Sequence, residues 1–115
     1  MTHTREFFHL LQVLQSAAHR GDVLAWQLNQ PKIRAAAQAA RVNWSAYQVT
    51  LQTMYRNLLK KARARYQRYA LYFRKQAQSL RLYDGGNSTE QLLQKAQKLE
   101  DYAHALGGQL QKIAA

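Results

Sequence analysis

Residues 44–83 read WSAYQVTLQTMYRNLLKKARARYQRYALYFRKQAQSLRLY, and the reading of this stretch decides the fold. It contains no Pro, no Gly and no acid. Trp44, Tyr47, Leu51, Tyr55, Leu58, Ala62, Tyr66, Tyr69, Phe73 and Leu80 recur at steps of three and four, with one double step before Leu80. At 100° per residue they fall in one stripe about 100° wide, the pattern of a helix with a single apolar side. The spacing therefore predicts one helix of roughly 40 residues, about 60 Å long. Such a helix outruns a compact domain of this size and points to a helical hairpin or an oligomer.

Working toward the C-terminus, DGGNSTEQ at 84–91 stops that helix and starts another. Asp84, Gly85 and Gly86 end it; Ser88 with Gln91 forms a capping box, and Glu90 suits the first turn of the next helix. Leu92, Ala96, Leu99, Ala103, Leu106, Leu110 and Ile113 then alternate steps of four and three, an a/d heptad across 88–113. Gly107 and Gly108 are expected to end or weaken this helix, leaving a firm part to Leu106 and a frayed continuation. The short connection and the two apolar stripes predict an antiparallel hairpin of 44–83 against 89–113. The heptad could instead zip with a second copy, but packing on its own chain covers a stripe that is otherwise bare.

Toward the N-terminus, residues 4–41 read as further helices. Phe7, Leu10, Leu11, Leu14, Ala17 and Ala18 give helical spacing from Thr4 to His19. Gly21 terminates this segment and Asp22 can cap the next. Val23 to Asn29 reads as a short helix or turn, and Pro31 suits the first turn of another helix capped by Asn29 or Gln30. Asn43 and Ser45 offer a break before the long helix, though nothing forces one. The expected fold is all-α, a small helical bundle of four or five helices built on a long antiparallel helical hairpin, in a single domain spanning 1–115.

Charge is the feature that bears on function. The 115 residues carry 17 Lys and Arg against 6 acids, a net +11. The excess is confined to the middle: twelve cations and no acid lie between Val23 and Tyr83. A solvated helical surface normally intersperses both signs, for solubility and for i,i+4 pairing. On the wheel of the long helix, Arg56, Lys60, Arg63, Arg68, Arg74, Lys75 and Arg81 fall opposite the apolar stripe. Lys61 lies at the edge of that arc and Arg65 flanks the stripe. Lys32, Arg34 and Arg41 extend the cationic set upstream. The same wheel turns Tyr66, Tyr69 and Phe73 toward the core, leaves Tyr72 at the flank and sends Val49 and Leu71 outward.

These twelve residues are the candidate nucleic-acid contacts, because aligned cations release the counterions condensed on a phosphate backbone. A ridge of cations with few amides reads base edges poorly, so sequence-independent binding is expected. The expected partners are DNA or RNA and the protein subunits of a larger complex, with a homo-oligomer also open and no membrane partner. Another class of function is an adaptor or inhibitor that docks the same basic face on an acidic protein.

No enzyme is read from this chain. Six acids, most of which read as caps or helix surface, no phosphate-cradling glycine loop and no nucleophile beside a placed base leave nothing to carry a reaction. No cofactor is expected, and no metal, since Cys is absent and His3, His9, His19 and His104 never sit at i,i+4. The absence of a recognisable secretory signal leads to a cytoplasmic expectation. Small, helical, basic and cysteine-free, the chain is similar in character to the small helical subunits of CRISPR effector complexes and to replication accessory proteins. That likeness is compositional and rests on no motif.

Overall fold

In a computed structural model, the protein is described over residues 2–84 and 87–114, without the side chains of 81–84, 87, 88 and 114. These residues form four helices and no strand: α1 (Thr2–Arg20), α2 (Val23–Ala39), α3 (Trp44–Asp84) and α4 (Asn87–Ala114). The protein is thus an all-α helical bundle. Two compact units divide it, Met1–Lys61 and Ala62–Ala115, and the division falls within α3. The side chain of the expected capping Ser88, and Gly85 and Gly86 of the expected stop, lie outside the described residues.

In the first unit, α1, α2 and the start of α3 share one core. Phe7, Leu14, Ala17, Ile33 and Leu58 are fully buried, with Trp26, Ala36 and Ala37 close to it. Each such Leu, Ile or Phe removed from water contributes about 1.5–3 kcal/mol. The Phe7 ring meets Tyr47 edge-on at 5.0 Å, and Trp26 lies 5.7 Å from Tyr55. Tyr47 and Tyr55 thereby tie α3 to both earlier helices.

Pro31 does not open a new helix. It lies inside α2, which runs unbroken from Val23 to Ala39. A proline there removes the donor to the Gln27 carbonyl and costs about 3 kcal/mol. Trp26 before it and Ile33, Ala36 and Ala37 after it are all buried. Burial of one face on both sides of the proline outweighs the local break. Asn29, expected to cap the new helix, instead donates its side-chain amide to the Ala25 carbonyl at 2.7 Å. Asp22 does cap α2, its Oδ1 accepting from the Ala25 amide at 3.1 Å.

The ends of α1 and α2 use the same hydrogen-bond pattern. Gly21 and Asp22 donate back to Ala18 and Ala17; Arg41 and Val42 donate back to Gln38 and Ala37. This is a Schellman turn, whose central residue must take positive φ. Gly21 does so at φ 68, at no steric cost. Arg41 does so at φ 55 with a full side chain.

In the second unit, the contacts between α3 and α4 run in opposite order along the two helices. Arg63 lies by Gly107, Tyr66 by Tyr102, Arg74 by Glu100, and Ala77 by Thr89. Among the described residues the buried positions are Ala62, Ala70 and Ala77 on α3 and Thr89, Ala96 and Ala103 on α4, alanines in all but one case. Leu92, Leu99, Leu106, Leu110 and Ile113 of the heptad are half-buried. The glycine pair, expected to end or weaken the helix, does not end it: α4 continues through Gly107 and Gly108 to Ala114. Two glycines cost about 1 kcal/mol each against alanine, too little to end a helix whose next turns bury Leu110 and Ile113.

Tyr69 departs from the core stripe drawn on the helical wheel. Tyr66 and Phe73 are half-buried, but Tyr69 is 51% exposed. The wheel weights large side chains, whereas in this unit the smallest apolar residues are the buried ones. Ala70 and Ala77 turn inward, and Tyr69, one residue before Ala70, is left about 100° away. Leu71 and Val49 are exposed, in agreement with the wheel.

Candidate nucleic-acid interface

Within the first unit, Lys32, Arg34 and Arg41 are exposed on α2 and the turn after it. The Arg34 guanidinium stands 5.9 Å over the Trp44 ring, which orients it along the α2–α3 connection. Arg41 is held at the turn by the Schellman bonds. Lys60 and Lys61 are exposed, and both line an open groove of about 590 Å³ between α1 and α3. His19, Gln15, Thr50 and Asn57 line the same groove, and no carboxylate does. Those four neighbours are invisible as site residues in the sequence. Their approach depends on how α1 packs against α3, and no spacing rule reports that.

Arg56 differs from its expected place on an exposed ridge. It is half-buried, and its Nε is hidden from solvent without a hydrogen-bond partner among the described residues. A wheel cannot foresee this, because it assigns a direction and says nothing about what packs there.

Within the second unit, the cations divide by what they already hold. Arg74 is committed: its Nε and a terminal nitrogen grip both Glu100 oxygens, the latter at 3.0 Å. This hydrogen bond holds the Glu100 carboxyl below its usual range, against the opposing effect of burial and with help from the guanidinium charge. The same contact raises the Arg74 pKa above its ordinary value. Arg63 is exposed, with its Cζ 3.4 Å from where a Gly107 side chain would begin. The glycine leaves room for the guanidinium beside α4. Arg65 is half-buried, its guanidinium 5.6 Å over the Tyr66 ring. Arg68 and Lys75 are exposed, and Arg81 lies outside the described side chains.

Among the described residues, no carboxylate comes within ion-pair distance of Lys60, Lys61, Arg63, Arg68 or Lys75. No group of three or more His, Asp or Glu among them is placed to hold a metal ion. No described helix is long and apolar enough to cross a membrane. No family model, curated protein or solved structure matches the chain.

Proposed function

We propose that the protein binds the backbone of a nucleic acid, without catalysis and without reading base edges, as a small subunit of a larger nucleoprotein assembly. The observation that carries this is the set Lys60, Lys61, Arg68 and Lys75. All four are exposed, free of carboxylate partners, and drawn from a 61-residue stretch without one acid. Cations meant only for solubility would be interspersed with acids; cations awaiting phosphates would not. Arg74, paired with Glu100, serves the hairpin contact rather than a ligand in this reading.

Binding to labelled oligonucleotides of two lengths, titrated across salt concentrations, tests it. The log–log slope should correspond to roughly four to eight displaced counterions and should flatten in the Lys60→Glu/Lys61→Glu and Arg68→Glu/Lys75→Glu variants. An absence of binding near 50 mM salt, where phosphate contacts are strong, ends the proposal.

A second reading is an adaptor that docks on an acidic protein. Exposed Leu24 and Leu28, one turn apart on α2, favour a protein neighbour of some kind. Length dependence separates the two, since a polymer binds more tightly as it lengthens and a folded acidic protein offers one site.

A further inference from the structure

In the second unit α3 presents a face on which exposed aromatic rings stand beside cations. Arg65, Tyr69, Tyr72 and Gln76 succeed one another at steps of four, three and four and therefore share one side of the helix. Tyr69 is 51% exposed and Tyr72 55%. Arg68 and Lys75, both exposed, flank the rings. Tyr72 is held in position: Gln76 donates to its hydroxyl at 2.7 Å, and its ring stands edge-on to Phe73 at 5.6 Å. A tyrosine pair this open and set among cations contributes little to the core. Its bare rings are suited to a flat, anionic, aromatic ligand.

Resting on the backbone-binding reading above, we infer that Tyr69 and Tyr72 form a stacking platform for the unpaired bases of a single-stranded nucleic acid whose phosphates are held by Arg68 and Lys75. A duplex keeps its base faces inside its own stack and offers only phosphates and groove edges. A single strand presents π-faces, and any base can use them, so the platform selects strand form without selecting sequence. An acidic protein would engage the same cations but would have no need of two open rings.

The test uses the full chain and three probes: an oligothymidylate, an abasic strand of equal length and a duplex. Tyr69→Ala/Tyr72→Ala should weaken oligothymidylate binding by about tenfold or more. It should leave the abasic strand, the duplex and the salt slope unchanged, and Tyr69→Phe/Tyr72→Phe should restore affinity. Unchanged oligothymidylate binding in the alanine variant overturns the platform, as does an equal loss on the abasic strand. If Arg68→Glu/Lys75→Glu abolishes binding to all three probes while the alanine pair alters none, the backbone reading survives and the platform does not. If the wild-type chain binds none of them, both fall. Far-ultraviolet circular dichroism checks that the double variant folds, and the single alanine variants give the same readout should it not.

Discussion

Arg41 sits where Gly21 sits in the equivalent turn, with the same pair of backward hydrogen bonds and nearly the same positive φ. A side chain in that conformation costs about 1–2 kcal/mol, part of which glycine would return through its freer unfolded chain. Arg41→Gly is therefore expected to raise stability by about 0.5–1 kcal/mol, read as a higher denaturation midpoint with an unchanged slope. On the proposed function the same variant should bind oligonucleotide more weakly. A stabilised protein with unaltered affinity would remove Arg41 from the interface. At the same scale, Glu100 makes a prediction about pH. Its carboxyl is held below the ordinary range when folded, so the unfolded chain takes up a proton first as the solution is acidified. The stabilisation from its pair with Arg74 is complete above about pH 4.3 and is lost as pH falls through the lowered value. The Tm gap between wild type and Glu100→Gln should be present at pH 7 and close toward pH 3. A gap that widens in acid would contradict the pairing.

Among elements, α4 carries two glycines with unequal surroundings. A side chain on Gly108 would meet nothing within 4 Å, while one on Gly107 would rest in van der Waals contact with the Arg63 guanidinium, 3.4 Å away. Gly108→Ala should stabilise the protein by about 0.8–1 kcal/mol through helix propensity alone. Gly107→Ala should yield a similar gain, because its methyl would meet only the movable end of Arg63. Chemical denaturation of the two variants measures both gains, and a loss of stability at 107 would show that Arg63 is held too firmly to share the space. The same helix shows how much of an element is legible in sequence. Its heptad is visible there, and its seam positions are all buried or half-buried. Its register past the glycines to Ile113 is visible too, but not how firmly the helix holds there, because propensity rules cannot weigh two local costs against the partial burial of Leu110 and Ile113. The passage of α2 through Pro31 is illegible for the same reason.

At the scale of the whole molecule, the prediction concerns how the two cationic sets combine. Lys60 and Lys61 belong to one compact unit, Arg68 and Lys75 to the other. If both contact one strand, the charge-reversal pairs should each reduce the salt slope, and the fourfold variant by about the sum. If only one unit binds, one pair will be silent, and the comparison assigns the interface to the other. The all-α class, the long third helix, the cap at Asp22, the helix stop at Gly21 and the concentration of charge came from the sequence by itself. Each of these depends on neighbours within a few residues, or on composition, and such information is local. What each cation holds was decided by the tertiary structure. It committed Arg74 to Glu100, half-buried Arg56, set Lys60 and Lys61 beside His19, and turned Tyr69 outward where the wheel placed it inward. A helical wheel gives every side chain a direction, but only the packed neighbour determines whether that direction meets another helix or water.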